Sequence, residues 1–107
     1  MGTFKLIQNN SKWHFSLLAG NHEQILRSET YETKAAATSG IESVRKNSQR
    51  DGAFEVKEAK NGQHYFVLKA TNGQVVGQSE TYASASGCNN GIESVKKNAA
   101  DAEVVEA

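Results

Sequence analysis

An internal repeat of about fifty residues constrains the fold of this chain more than any other feature. The tetrapeptide Ser28–Tyr31 (SETY) returns as Ser79–Tyr82, and the pentapeptide Gly40–Val44 (GIESV) returns as Gly91–Val95. Both blocks are displaced by 51 residues. Two identical blocks at one displacement indicate a tandem duplication, so whatever one copy folds into, the other is expected to fold into as well.

The identical positions upstream of the SETY block alternate along the chain. The matched residues are Phe15, Leu17 and Ala19 in the first copy and Phe66, Leu68 and Ala70 in the second. Phe4 and Leu6, aligned with Phe54 and Val56, alternate in the same way. A period of two with one constrained face is typical of a half-buried strand, so each copy is predicted to begin with two such strands.

Turn residues separate these strands. Asn61-Gly62 and Asn72-Gly73 predict tight hairpins in which both turn residues take positive φ. The first copy has Asn10-Ser11 and Gly20-Asn21 at the equivalent places, and its first turn is one residue shorter. A third strand in each copy is expected to be marked by Ile25 and Val76 and to run to about Glu29 and Glu80.

The period then changes to that of a helix with one apolar face. That face consists of Ala37, Ile41, Val44 and Ser48 in the first copy and of Cys88, Ile92, Val95 and Ala99 in the second. Thr33 and Ser84 are predicted as N-caps. Glu42 and Lys46, like their counterparts, are expected to form an i,i+4 ion pair. Asn47 and its counterpart are predicted to end the helices, because Asn tolerates a left-handed backbone.

Each copy is therefore predicted to be β-β-β-α. A last short strand is expected around 103–106, and its counterpart in the first copy merges into a strand at 53–58. Fifty residues bury too little surface to form a secure core alone. We expect an α+β fold in which repeat one (about 1–52) and repeat two (about 53–107) make a single domain over 1–107. Its pseudo-twofold symmetry would resemble that of a fused homodimer.

The motifs that carry this pattern are F-x-[VL], F-x-L, A-x-N, SE-x-Y and GIESV-[KR]-K-N, and nearly the whole chain contributes to them. Together they resemble the YegP-like family of small bacterial proteins. The resemblance implies β3-α-β units that share one sheet and exchange their C-terminal strands. It also implies single-copy members that associate as dimers beside tandem members like this one. It supplies no activity, cofactor or catalytic residue.

Charge and composition narrow the classes of function. With 12 basic and 12 acidic residues, the chain has no general attraction for phosphate backbones or anionic lipid, which disfavours nucleic-acid and membrane partners. Apolar runs fall far short of the roughly 20 residues that span a bilayer. One cysteine, Cys88, allows no internal disulfide, so we expect a cytoplasmic protein. Sequence motifs for zinc, nucleotides or a catalytic nucleophile do not occur. We therefore predict no catalytic residues, no cofactor and no metal.

The SETY block is the sharpest polar signal, because it lies at the junction of the third strand and the helix. In one interpretation its tyrosine packs under the helix with a bonded hydroxyl while Ser and Glu fix the turn. In the other, the two copies supply a binding surface or a pair of carboxylates. The candidate surface residues are Glu29, Tyr31, Glu80 and Tyr82, with Trp13 and His64, which occupy equivalent positions in the two copies.

Two residues inside the helices have similar double interpretations. Gly40 and Gly91 each cost about 1 kcal/mol relative to Ala in a helix, so both copies accept the cost at one position. A close approach of the helix backbone is the structural explanation, and a groove for a partner is the functional one. Cys88 aligns with Ala37 and is predicted to be a small buried residue rather than a reactive thiol.

The expected function is that of a non-enzymatic binding or interaction module, monomeric as a fused pseudo-dimer, with a protein or a small molecule as partner. Two alternatives stay open. Trp13, His14 and Tyr65 on a sheet could stack single-stranded bases, or an enzyme could use the SETY junctions as its site.

Overall fold

The computed structural model describes residues 2–50 and 52–107, and within them seven strands and two helices. In chain order these are β1 (Thr3–Asn9), β2 (Lys12–Leu18), β3 (Gln24–Arg27), α1 (Lys34–Asn47), β4 (Phe54–Glu58), β5 (His64–Lys69), β6 (Val75–Gln78), α2 (Ala85–Ala99) and β7 (Glu103–Glu106). The β-β-β-α order of each repeat and the final short strand are confirmed. Strands β3 and β6 end at Arg27 and Gln78, two residues earlier than expected.

All seven strands belong to one sheet, in the order β4-β5-β6-β3-β2-β1-β7. The two repeats meet where Arg27 of β3 pairs with Gln78 of β6. These residues are equivalent in the repeats, so a pseudo-twofold axis passes between them. Neighbouring strands are antiparallel except β7, which runs parallel to β1. The predicted α+β fold is therefore confirmed, and the sheet is mixed but mostly antiparallel.

The strand that follows the helix pairs differently in the two repeats. β7 comes from repeat two and lies beside β1 of repeat one, so this strand is exchanged as the family resemblance implies. In repeat one the chain that leaves α1 runs directly into β4, which is already the first strand of repeat two. The merged strand expected at 53–58 is thus present, and only one of the two exchanges exists.

Both helices pack against strands of both repeats. α1 contacts β2 of its own repeat and β5 and β6 of the other, while α2 contacts β5 and also β1, β2 and β3. The core between helices and sheet is one cluster that includes Phe4, Phe15, Leu17, Ile41, Val44, Phe66, Leu68, Cys88 and Val95. Because residues from the two copies bury each other, neither copy encloses its apolar side chains alone.

The helix ends confirm some predictions and correct others. The side chains of Thr33 and Ser84 accept hydrogen bonds from backbone N–H groups of the first turn, each at 3.0 Å, as N-caps do. The expected pairing of Glu42 with Lys46 is wrong. Glu42 instead contacts Arg45 at 3.2 Å, one residue earlier in the chain.

Asn47 ends α1, but not through a left-handed backbone. The C-cap residue Ser48 is right-handed helical, with φ −63°. Asn47 Nδ2 donates to the Ser43 carbonyl oxygen at 2.8 Å, and Asn98 repeats the bond to Ser94 at 2.8 Å. The predicted reason for this Asn is therefore wrong, since its side chain bonds back into the helix.

The first hairpin turn differs between the repeats because of the extra residue. In repeat one both Asn10 and Ser11 have positive φ, 53° and 68°. In repeat two only Gly62 does, at 83°, while Asn61 Oδ1 accepts the Gln63 N–H at 3.1 Å. The expectation of two positive-φ residues is wrong for both Asn61-Gly62 and Asn72-Gly73, in which only the glycine has positive φ. One inserted residue is enough to change the turn type.

Candidate functional site

The serines of the two SETY blocks have a structural task. Ser28 Oγ accepts the Phe15 backbone N–H at 2.9 Å and donates to the Glu29 carbonyl oxygen at 2.7 Å. Ser79 makes the same two bonds, at 3.0 Å from the Phe66 N–H and at 2.7 Å to the Glu80 carbonyl. Each hydroxyl thus replaces a strand hydrogen bond where the sheet ends, and both serines are buried.

The tyrosines explain the glycines inside the helices. The Tyr31 ring stacks on Phe15 with centroids 6.1 Å apart, and the Tyr82 ring stacks on Phe66 at 6.3 Å. A Cβ atom added to Gly40 would lie 2.4 Å from the Tyr31 hydroxyl oxygen. The other repeat gives the same distance between Gly91 and Tyr82. A methyl group does not fit there, so close packing requires the glycine.

Burial of the two tyrosines has an electrostatic consequence. Desolvation, followed by the nearby Glu29 carboxylate, raises the pKa of Tyr31, and desolvation is also the first cause of the raised pKa of Tyr82. Both phenols are therefore held neutral. The expected packing of tyrosine under the helix is present, although within residues 2–50 and 52–107 no hydrogen bond joins either hydroxyl to another residue.

The glutamates of the two SETY blocks both line a groove at the pseudo-twofold axis. A groove of about 360 Å³ crosses the β3–β6 junction. Its lining comes from both repeats: Arg27, Ser28 and Glu29 from one and Gln78, Ser79, Glu80 and Thr81 from the other. Glu29 and Glu80, two of the candidate surface residues, therefore lie in a single polar groove.

The groove is not symmetric, because Gln24 and Val75 occupy equivalent positions. Gln24 Nε2 donates to Glu80 Oε1 at 2.6 Å, and its own side-chain oxygen accepts the Ser16 hydroxyl at 2.9 Å. Val75 cannot make such a bond, and it lines a second recess beside Glu29 and Tyr31. One carboxylate is therefore fixed across the repeat boundary, while the other is exposed without a described partner.

Trp13 and His64 lie at the outer ends of β2 and β5, each paired through the backbone with the tyrosine of its own repeat. Because side chains alternate along a strand, Trp13 shares the helix-covered face with Phe15, whereas His14 projects from the opposite face. Tyr65, next to the buried Phe66, lies on the same face as His14. The three aromatic residues considered for base stacking are thus divided between the two faces of the sheet.

Two further titratable groups, Cys88 and His14, have shifted pKa values. Burial raises the pKa of the Cys88 thiol, so the reactive thiolate is disfavoured. Burial, and then the Arg27 guanidinium, lower the pKa of His14. Among residues 2–50 and 52–107, no group of three or more His, Cys, Asp and Glu side chains is arranged to hold a metal ion. In the same residues, no helix is long and apolar enough to cross a membrane.

The two ends of the sheet differ sharply. At one end β7 covers β1, and Leu6 is 1% exposed. At the other end no described strand lies outside β4, and Val56, the counterpart of Leu6, is 43% exposed. Phe4 is fully buried, whereas Phe54 is only partly so. The same strand pattern is therefore covered in repeat one and open in repeat two.

Unpaired backbone groups line this open edge. Leu6 O accepts the Ala107 N–H at 2.9 Å, so its backbone groups point away from β2. By equivalence, Phe54 and Val56 point their N–H and C=O groups away from β5. The Ala53 carbonyl oxygen, which accepts the Lys69 N–H at 2.9 Å, points the other way. This open edge was not predicted, although the merged strand at 53–58 implies it. The segment that follows α1 forms β4 itself, so it cannot also pair with β4 as β7 pairs with β1.

Fold and repeat define a class of protein: an α+β tandem in which two β-β-β-α units share one sheet. Comparison with known families agrees. Residues 8–55 and 59–106 each match the "Domain of unknown function (DUF1508)". The two matches are again displaced by 51 residues; the second includes β7, and the first ends within β4. The chain belongs to this family and carries its domain twice.

Relatives in other bacteria are similar over most of their length. The UPF0339 protein PA0329 of Pseudomonas aeruginosa is 62% identical over 88 residues, covering 82% of this chain and 80% of the relative. The UPF0339 protein YegP of Escherichia coli O157:H7 is 49% identical over 98 residues, covering 91% and 89%. The YegP-like resemblance is therefore confirmed. These names assign no activity.

Two structures solved in solution by NMR share the fold. The E. coli yegP structure, described as a protein of unknown function, superposes with a TM-score of 0.91 at 44% identity, covering 98% of this chain and 91% of that one. The UPF0339 protein SO3888 of Shewanella oneidensis gives 0.91 at 40% identity, covering 98% and 90%. The fold of this chain is thus that of solved family members.

Proposed function

We propose that this protein is a non-enzymatic interaction module that binds an extended segment of a partner alongside β4. One observation carries the proposal: Val56 is 43% exposed where its counterpart Leu6 is 1% exposed. The difference comes from β7, which covers β1 in parallel and has no counterpart at β4. The molecule therefore contains, at one edge, an example of the strand that the other edge lacks.

Strand addition suits the chemistry of this edge. The backbone groups of Phe54 and Val56 would supply hydrogen bonds to an incoming strand, and their side chains would be buried by alternate residues of that strand. β7 shows the geometry, pairing Phe4 with Val104 and Leu6 with Glu106. A parallel partner segment of about four residues would reproduce it.

The edge is also protected against random pairing. β4 is only five residues long, and its remaining positions are the charged residues Glu55, Lys57 and Glu58. The hydrogen bond from Lys69, followed by the charge of Lys57, lowers the pKa of the Glu55 carboxyl and keeps it charged. Short, charged edges discourage aggregation, so the site would select a matching partner rather than any strand.

A direct test uses the chain's own covering strand as a probe. A synthetic peptide with the sequence of residues 101–107 (DAEVVEA) is titrated into the ¹⁵N-labelled protein. We expect saturable shifts of the Phe54–Glu58 amide signals, because β4 is the unoccupied equivalent of β1. Shifts confined to other regions, or none at millimolar peptide, would contradict strand binding at this edge.

A matched pair of variants sharpens the test. Proline is tolerated on an edge strand where its missing N–H would face solvent, and Val56 meets that condition. Val56→Pro removes one outward donor and should abolish the shifts while the rest of the spectrum stays folded. Val56→Thr keeps the donor and the strand preference and should bind within about threefold of the original chain, since it changes only one methyl group. Equal loss in both variants would mean that backbone pairing is not involved.

We also propose the groove at the pseudo-twofold axis, lined by Glu29 and Glu80, as a second contact surface. Tyr31 lines the adjoining recess beside Glu29, whereas Tyr82, Trp13 and His64 are not among the lining residues of either. The favouring observation is that the same residue type, glutamate, stands at both equivalent positions and that Glu29 and Glu80 are both exposed in one groove. Its ligand would be a small polar molecule. A small-molecule mixture screened by ligand-observed NMR, with Glu29→Gln and Glu80→Gln as controls, would test it. No binder, or binding unchanged in both variants, would contradict it.

The wider setting of the protein follows from the same proposal. We infer a single cooperative domain over 1–107 that is monomeric and acts in the cytoplasm, with a partner protein rather than a nucleic acid or a membrane. The shared core supports one domain, and the absence of a basic excess disfavours nucleic acid. Sedimentation of the purified chain at several concentrations would test the oligomeric state.

A further inference from the structure

The two edges of the sheet differ in charge as well as in coverage. At the covered edge, Lys34 of α1 contacts Glu106 of β7 in an ion pair, and its amino group also lies 5.8 Å from the centre of the Trp13 ring. A second pair joins Lys12 to Glu32 nearby. Lys34 therefore links the end of β7 to α1 through Glu106, and the Trp13 ring lies close to the lysine amino group.

At the open edge every one of these charges is gone. The residues equivalent to Lys12, Trp13, Glu32 and Lys34 are Gln63, His64, Ala83 and Ala85. An acidic side chain placed there as Glu106 is placed at β1 would have Ala85 in the position where Lys34 contacts Glu106 in repeat one. It would instead lie beside the exposed Val56, because Glu106 is the register partner of Leu6.

We infer that the segment bound at β4 has apolar residues at two positions separated by one, and no acidic residue at the second. The first apolar residue would pair with Phe54, as Val104 pairs with Phe4. The second would cover Val56 and face Ala85, in the place where β7 has Glu106. This preference rests on the proposed strand binding at β4, and it goes further by naming the chemistry of the partner.

The physical basis is the burial of apolar surface. Val56 is the one exposed large apolar side chain of β4, while Val104 and Val105 are exposed on β7 at the opposite end of the sheet. Burying a branched side chain against Val56 removes water from both, whereas a glutamate would lose hydration without the lysine that Glu106 contacts at the other edge. The partner is therefore a protein segment with an apolar-x-apolar pattern and not a second β7.

The test compares two peptides that differ at one position. The first is DAEVVEA, and the second carries Glu106→Val, giving DAEVVVA. Each is titrated into the labelled protein while the Phe54–Glu58 amide signals are followed. We expect the second peptide to bind β4 about tenfold more tightly, the size typical of one buried branched side chain.

An engineered cation provides the matched control. Ala85→Lys restores the lysine of the other repeat and should increase the affinity for DAEVVEA about twofold to fivefold, as a surface ion pair does. Ala85→Gln, which lengthens the side chain without charge, should leave that affinity unchanged. Equal affinities for the two peptides in the original chain, with both bound at β4, would overturn the apolar preference and leave strand binding intact.

Other outcomes separate the remaining occupants. If neither peptide perturbs β4, the proposed strand binding itself is contradicted. If the Phe54–Glu58 signals shift with protein concentration alone, the occupant is a second copy of this chain, and a partner's apolar segment is overturned.

Discussion

Two sequences of common origin stand at opposite ends of this sheet, and they have different surroundings. β1 lies beside β7, whereas β4 begins the second repeat and has no strand of the described residues on its outer side. As a result Leu6 belongs to the core and Val56 to the surface, although both occupy the same position of the repeat. The comparison shows that alternation determines which face a residue takes, and that neighbouring strands determine whether that face is buried.

The largest effect is expected when the two repeats are separated. Residues 1–51 lack β7 and the strands β5 and β6 that α1 packs against, so half of the shared core is missing. We expect the fragment to be poorly folded or to self-associate. Circular dichroism melting with size-exclusion chromatography checks this, and a monomer that melts cooperatively would contradict the shared core.

Large core substitutions should affect both repeats equally. Phe66 and Phe15 are equivalent and fully buried, and each packs edge-on against the first-strand phenylalanine of its repeat. Phe66→Ala is expected to lower the free energy of unfolding by about 3–5 kcal/mol through the cavity it leaves, and Phe15→Ala by a similar amount. Urea denaturation measures both. A loss under about 1 kcal/mol would mean that this face is not buried.

The two edges should respond unequally to the same kind of truncation. Leu6→Ala removes a fully buried side chain and should cost about 2–4 kcal/mol of unfolding free energy. Val56→Ala removes an exposed one and should cost less than about 1 kcal/mol. Chemical denaturation of both variants under one condition gives the difference directly. Similar losses would indicate that β4 is covered in solution, and therefore that an occupant is already present.

The smallest expected effect distinguishes the repeats by pH. His14 has Tyr65 as its counterpart, and burial and Arg27 lower the pKa of His14 below its ordinary 6.5. The unfolded chain therefore binds the proton more readily, so stability is complete above about pH 6.5 and declines as the pH falls below it. His14→Gln should remove this decline, worth less than about 1 kcal/mol for a partly exposed group.

NMR titration of His14 provides the direct measurement. Arg27→Gln should move the pKa of His14 upward, towards its ordinary value, because one of the two causes is removed. Lys60→Gln, in the turn between β4 and β5, serves as the control. An unchanged His14 titration in the Arg27 variant would leave burial as the cause.

The order of elements, the helix faces and the N-caps could be predicted from the sequence, because they follow from local periodicity and local hydrogen bonding. The positions of Glu29 and Glu80 in one groove could not, since that depends on how Arg27 and Gln78 meet across the repeat boundary. The exposure of Val56 could not be predicted either, because the alternating pattern gives Val56 and Leu6 the same position. Both the shared groove and the exposure of Val56 depend on the order of strands in the sheet, which the alternation of residues does not encode.

Small local errors have local causes. On a helix, residues three apart and residues four apart are both neighbours, so Glu42 could pair with Arg45 or with Lys46. In the structure it contacts Arg45. The glycines at 40 and 91 were correctly associated with a close approach. The group that approaches each glycine is a tyrosine hydroxyl from the SETY block, and this could be identified only from the structure.

The lone tryptophan of this chain provides an optical signal for one edge only. Trp13 lies beside Lys34, whose amino group holds the end of β7 through Glu106, so detachment of β7 would change the indole's electrostatic environment and its emission. His64 occupies the corresponding position in repeat two and emits nothing. With excitation selective for the indole, which avoids the tyrosines, fluorescence thus follows the detachment of β7 without a label.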